Sequence, residues 1–224
     1  MRGSASPKSE ARRECAANRV HWCWHRGRAT LASMETAHQE IGTTTTPVTA
    51  MDLRFMTRDE LVALFHRLPP PAFEEMHGEF AATLLEQGSG TAFITAQVAL
   101  NIKGRWLCKA FEPLGPNDGH GYNSFMTPRG VKRAVRMKTR IGPSKIPGDA
   151  NDSFHLEYAD LNDFKRGPGG AFAHTMFDEL RKAGPGLYLG IGRVGFTKKQ
   201  LAELHPFILE GPVAYFVKQR RPRA

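Results

Sequence analysis

The sequence predicts an α+β fold: a mainly antiparallel β-barrel or half-barrel, with two helices before it and one short helix near its C-terminal end. Three observations predict it. Apolar residues recur at helical spacing only between Thr57 and Gly88, and again briefly after Thr197. From Lys103 onward they alternate with polar ones, the period of a strand with one wet face. Glycine- and proline-rich turns join most of those strands directly, so the order is not the strand–helix–strand alternation of a parallel sheet.

The elements follow in order. Thr57-Arg-Asp-Glu60 is a capping box, in which the threonine hydroxyl accepts from the third helical N–H and the glutamate reaches back to the cap. Leu61, Leu64, Phe65 and Leu68 then form one apolar stripe, and Pro69-Pro-Pro71 stops the helix. Phe73, Met76, Phe80 and Leu84 predict a second helix, ended by Gly88. Thr91 to Leu100 fits helix or strand. Lys103 to Phe111 alternates as a strand, with Trp106 and Cys108 on one side and Leu107 and Phe111 on the other. Gly115 to Gly121 is a turn and Tyr122 to Met126 a short strand.

Val131 to Ile141 carries the clearest alternation. Val131, Val135, Met137, Thr139 and Ile141 share one face, interrupted by Arg133, while Lys132, Arg136, Lys138 and Arg140 share the other with Ala134. Ile146-Pro-Gly148 turns the chain. Phe154, Leu156 and Tyr158 alternate with His155 and Glu157, so this run pairs with its predecessor and sets Glu157 against a Lys or Arg. Pro168-Gly-Gly170 breaks the chain again. Thr197 caps a short helix that His205-Pro206 ends, and Phe207 to Glu210 with Val213 to Val217 supply closing strands.

A chain of 224 residues has room for one domain with appendages. The expected division is a disordered extension over 1–50, the barrel domain over 51–217 and a basic tail over 218–224. The net charge of +9 is concentrated at the ends. Residues 1–50 carry seven Lys/Arg against four Asp/Glu, and residues 213–224 carry four against none. The middle is nearly balanced, which argues against a dedicated nucleic-acid face. The three cysteines, Cys15, Cys23 and Cys108, make no disulfide framework and point to a reducing, cytoplasmic compartment. No apolar run is long enough for a membrane-spanning helix. The arginines of 1–50 leave organelle import, or a start at Met34 or Met51, as alternatives. Cys15, His21, Cys23 and His25 fit no zinc spacing, so no metal or other cofactor is expected.

Leu187 to Phe196 supports two incompatible readings. In one, Gly190-Ile-Gly192-Arg-Val-Gly195 is a phosphate-cradling GxGxxG turn after a buried strand. Against it, the next helix is capped only at Thr197, and nothing upstream repeats strand–helix–strand. In the other, a single strand continues through Gly190 and Gly192, which let it bend or leave space beside a ligand. The second is favoured.

In this order, several short segments resemble a group of small lipocalin-like proteins known by a GXWXG motif, which pair that segment with a C-terminal domain of unassigned function. Leu64-Phe65-His-Arg-Leu68-Pro-Pro resembles their leading helix and proline turn, and Met76-His-Gly78-Glu-Phe80 stands at the name motif. Gly104-Arg-Trp-Leu-Cys-Lys109-Ala-Phe111 resembles an aromatic-Gly-Lys-x-Phe strand, and Arg133-Ala-Val-Arg136-Met137 an Arg-Met strand. Asp178-Glu-Leu-Arg181 followed by Leu187-Tyr-Leu-Gly190 resembles an Asp-x-Phe-Arg and Leu-Leu-Gly run. The resemblance implies a barrel and, by analogy, an apolar ligand; no reaction comes with it.

If the strands close, inward side chains line a cavity or fill a solid core. The candidate lining is Trp106, Phe125, Met137, Phe154, Leu156, Tyr158, Tyr188 and Phe207, with Gly190 and Gly192 leaving space. Asp178 and Arg181, three apart, pair on a helical turn, or Arg181 anchors a ligand carboxylate. The expected function is binding of a small apolar molecule such as a fatty acid, terpenoid or pigment. The alternatives are a lyase, isomerase or hydrolase on the same scaffold, using His155 or His174 with Tyr158 or Asp178, or a nucleotide enzyme through Gly190, Gly192 and Gly195. His120 and Tyr122 are further acid–base candidates.

Overall fold

The computed structural model describes residues 48–158 and 175–219. Eight strands, β1 (Gly78–Leu84), β2 (Arg105–Gly115), β3 (Asp118–Thr127), β4 (Gly130–Pro143), β5 (Asp152–Glu157), β6 (Phe177–Gly184), β7 (Leu187–Arg193) and β8 (His205–Ala214), form a closed barrel in sequence order. Every pairing is antiparallel, and β8 returns to β1 through Ala82↔Leu209 and Leu84↔Phe207. Closure gives every strand two neighbours, so the sheet has no edge strand.

Among the described residues four helices accompany the barrel: α1 (Ala50–Phe55), α2 (Arg58–Phe65), α3 (Gly90–Asn101) and α4 (Lys198–Ala202). The capping boxes at Thr57 and Thr197 form, with Glu60 and Gln200 as their partners. α1 was not expected from the sequence. Thr49 and Asp52 build the same box in front of it, so a helical turn precedes the one predicted from Thr57. Leu53 of α1 and Leu61, Leu64 and Phe65 of α2 pack with Leu189, Ile191 and Ile208 against the outside of β7 and β8.

The second predicted helix does not form. Phe73–Glu75 is one 3-10 turn, and the chain enters β1 at Gly78. Gly78 has φ +117°, which no helix tolerates, and a Cβ there would lie 2.7 Å from the Ala214 carbonyl oxygen. Phe73, Met76 and Phe80 share no helical face. They meet inside the barrel, because the 3-10 turn inserts the first two into the end that β1 then walls. The Lys182 ammonium fixes this plug through Glu75 at 2.6 Å. Asp178 and Arg181 likewise sit on β6, not on a helical turn, and face opposite sides.

Two bulges change the expected faces. The β2–β3 register shifts between Trp106 and Cys108, so Trp106 joins Phe111 inside the barrel, not on the opposite side. The β3–β4 register shifts beside Val135, the one non-glycine residue among those described with positive φ (57°). Arg133 broke the alternation for this reason: Met137 is inside, whereas Val131 is 45% exposed. The region 91–100 resolves as α3, capped by Ser89. β3 is longer than the expected 122–126, and the two closing strands are one, β8. Glu157 pairs with Lys138, as expected for that strand pair.

β7 runs unbroken through Gly190 and Gly192, paired to β6 and β8. With no parallel strand among the pairings, the GxGxxG turn is excluded. Residues 1–50, apart from 48–50, lie outside the described residues, as do Pro168-Gly-Gly170, His174 and residues 220–224. The metal candidates Cys15, His21, Cys23 and His25 lie there too.

Candidate functional site

Antiparallel order puts the β1–β2, β3–β4 and β7–β8 connections at one end of the barrel, here the upper end. The β2–β3, β4–β5 and β6–β7 turns share the lower end with the Phe73 plug. Below, the interior is packed aromatic core. Phe154 lies 5.4 Å from Phe73 and 5.5 Å from Phe111, and Phe80 lies 5.6 Å from both Phe111 and Tyr188, centroid to centroid. Met137, Leu156, Leu180 and Leu209 complete it.

Towards the upper end the interior turns polar. Alternation on β2 directs Lys109 inward, between Trp106 and Phe111, and only 3% of the residue is exposed. Its ammonium donates to Tyr158 Oη at 2.6 Å, Asp178 Oδ2 at 2.8 Å and Asn123 Oδ1 at 3.3 Å. The Trp106, Tyr158 and Phe207 rings surround it at 5.1–5.3 Å. A buried cation is costly unless paired and fully hydrogen-bonded, and Lys109 meets both conditions.

The supporting groups are themselves held. Tyr158 donates to Asp178 Oδ2 at 2.6 Å. Trp106 Nε1 donates to Asn123 Oδ1 at 3.0 Å, and Asn123 Nδ2 donates to the Val135 carbonyl at 3.2 Å, so the β4 bulge orients the amide. Burial first, then the Asp178 charge and hydrogen bond, push the Tyr158 phenol well above its ordinary range. Tyr158 is therefore a neutral donor at any ordinary pH.

Glycines on β7 make the room. A Cβ on Gly190 would lie 2.3 Å from the Phe207 ring, and one on Gly192 would lie 3.0 Å from Asp178 Oδ1. Across Gly192, His205 shares the inward face of β8, and its Nδ1 lies 2.9 Å from Gln87 Oε1. The Gln87 amide nitrogen donates to the Leu85 and Pro206 carbonyls at 2.9 Å and lies 3.3 Å from that of Glu86, so its oxygen accepts and Nδ1 carries the proton. Burial lowers the His205 pKa and so favours the neutral ring, in which Nε2 is the unprotonated nitrogen.

The predicted site residues divide. Trp106, Tyr158 and Phe207 meet around Lys109, and the space beside Gly190 and Gly192 is taken by the Phe207 ring and by Asp178. Met137, Phe154, Leu156 and Tyr188 belong to the packed interior. Phe125 is 5% exposed but stands in neither apolar cluster. Arg181 is outside the barrel. It binds Asp149 at 2.8 Å and the Phe65 carbonyl at 2.9 Å, with its guanidinium over the Phe65 ring. That places it in a structural lock instead of against a ligand.

Of the acid–base candidates, Tyr158 and Asp178 come within hydrogen-bond reach. His120 pairs with Glu112, and Tyr122 donates to Glu79; neither belongs to the Lys109 cluster. His155 alternates outward beside Phe177. Cys108 is no nucleophile: burial raises its thiol to about 11. Lys109 and Asn123 were missed by sequence reasoning. The signal for Lys109 was present, since it lies two residues from Phe111 on an alternating strand and so shares its face. Among the described residues no group of His, Cys, Asp and Glu is arranged to hold a metal.

No family model and no curated protein matches the sequence. Among solved structures the chain is similar to a protein from Thermomonospora curvata, at 14% identity over 69% of this chain and 87% of that one, with a TM-score of 0.45. At that score the likeness carries no argument, and the barrel rests on this chain's own strand pairings.

Proposed function

We propose that the barrel binds a small, largely apolar molecule at its upper end, with an oxygen of that molecule taking the place of Asn123 Oδ1, the longest of the Lys109 contacts at 3.3 Å, beside Tyr158 and Asp178. The observation that carries this reading is a cation, a neutral phenol and a carboxylate sharing one hydrogen-bond cluster, roofed by Trp106 and Phe207 above an aromatic floor. A mostly apolar wall with a few convergent polar groups is the usual chemistry of a small-molecule site. The order of motifs resembling the GXWXG proteins supports it as well. A fatty acid, a terpenoid alcohol or aldehyde, or a pigment satisfies the chemistry.

Native mass spectrometry of the purified full chain, with displacement of a fluorescent fatty-acid probe, tests the reading. Wild type is expected to carry or take up such a molecule. Lys109→Met is expected to weaken the probe roughly tenfold or more, as loss of a charge-assisted contact does. No carried molecule and no probe binding would sink the proposal.

A second reading is acid–base catalysis on such a molecule, favoured by the 2.6 Å contact of Tyr158 with Asp178. Tyr158 would protonate a carbonyl oxygen while His205 or Asp178 accepts a proton from carbon. Turnover lost in Tyr158→Phe with binding retained would support it.

A further inference from the structure

The upper end exposes more large apolar side chains than a solvent-facing end needs. α3 is twelve residues long and none of them is buried. Ile94, Val98 and Ile102 recur every fourth residue and so share one face, and they are 64%, 63% and 78% exposed. Met126 and Val131 pair across the β3–β4 hairpin, and Phe196 stands in the β7–β8 connection; these are 46%, 45% and 60% exposed. Gly104 links the first two groups, since a Cβ there would lie 2.4 Å from the Met126 carbonyl oxygen.

The charges around this surface are mostly of one sign. Lys103, Arg105, Arg129, Lys132, Lys198 and Lys199 are all exposed at this end. The described acids there are Glu203, Glu86, which accepts from the Arg58 amide, Asp59, which pairs with the Arg58 guanidinium at 3.6 Å, and Glu60, which accepts from the Thr57 amide in its capping box. An apolar helix face among cations that have no acidic partner among the described residues matches a surface with an oily interior and anionic groups at its boundary. It does not match a second copy of the chain, because a two-fold contact would bring the same cations face to face.

From this we infer that the upper end docks on anionic phospholipid membranes, with the Ile94–Val98–Ile102 face of α3 inserted between headgroups and Lys103, Arg105, Arg129 and Lys132 against lipid phosphates. The inference uses only the exposed surface and stands whether or not the interior holds a ligand. If both hold, ligand would pass between bilayer and barrel without crossing water.

Co-sedimentation of the full chain with vesicles of phosphatidylcholine, and of phosphatidylcholine containing phosphatidylserine, tests it. Binding is expected to the anionic vesicles, at least roughly tenfold above the neutral ones, and to weaken with salt. Ile94→Asp/Val98→Asp should abolish it without altering the circular dichroism, since both side chains already face solvent. Lys103→Glu/Lys132→Glu should remove the preference for phosphatidylserine. Both variants keep the basic chain ends, so anionic binding that survives Ile94→Asp/Val98→Asp comes from those ends and overturns the inference. Equal binding to both vesicles overturns it, as does no vesicle binding, whether or not the α3 variant dissociates a dimer.

Discussion

His155 shows how position sets the behaviour of one side chain. It is 1% exposed, and neither ring nitrogen has a hydrogen-bond partner. Burial lowers its pKa, Lys145 and Arg140 push the same way, and Glu179 and Glu157 oppose them. His205 is lowered too, again chiefly by burial. A histidine whose folded pKa lies below its unfolded one leaves the unfolded state holding more protons. Stability is then full above about pH 6.5 and falls as pH drops from there through the folded pKa, by up to about 1.4 kcal/mol per pH unit for each histidine. Urea midpoints at pH 7.5 and pH 5 should show the loss, and His155→Phe, packed on Phe177, should show a shallower one. An unchanged pH slope in that variant would contradict this account. At this scale the sequence was only partly informative. Alternation sends Tyr158 inward and His155 outward, but the pairing of Tyr158 with Asp178 and Lys109 depends on strand order, which no local pattern encodes.

Among the elements, β6 joins the barrel to its outer helices. Its inward Asp178 serves the Lys109 cluster, while its outward Arg181 crosses to the end of α2 and to the turn after β4. Asp149, which takes the Arg181 guanidinium, also lies 3.0 Å from His66 at the α2 terminus. Burial is the largest single influence and pushes its carboxyl up, but the Asn151 amide, Arg181 and His66 together outweigh it and hold the group below the ordinary range. Arg181→Met should cost about 3–5 kcal/mol in urea unfolding, because it strands the Asp149 carboxylate in an apolar setting. Asp149→Asn in the same background should recover part of that. Full stability in Arg181→Met alone would show that water reaches the pair. The elements that were legible were those with local signatures: the capping boxes before α2 and α4, the alternation of β5, and the glycine-relieved β7. Residues 73–84 were misjudged because their apolar spacing mimics a helix, whereas the pairing of β1 with β8 is made from the far end of the chain.

For the whole molecule, the closed antiparallel barrel agrees with the fold expected from turn-linked alternating strands, and the two glycines that suggested a phosphate turn became relief for Phe207 and Asp178. The faces were less legible, because the bulges at Trp106 and Val135 each reverse what lies beyond them. Ring closure also has a cost in time. β1 is made first of the eight strands, yet its partner on one side, His205–Ala214, is made last of them. Until then a nascent chain displays a bare strand rich in Phe80, Ala81 and Ala82, which is the kind of exposed edge other polypeptides add to. Translation halted before His205 should therefore yield a species that chaperones retain or that aggregates, and release of the last strand should be the event that frees it.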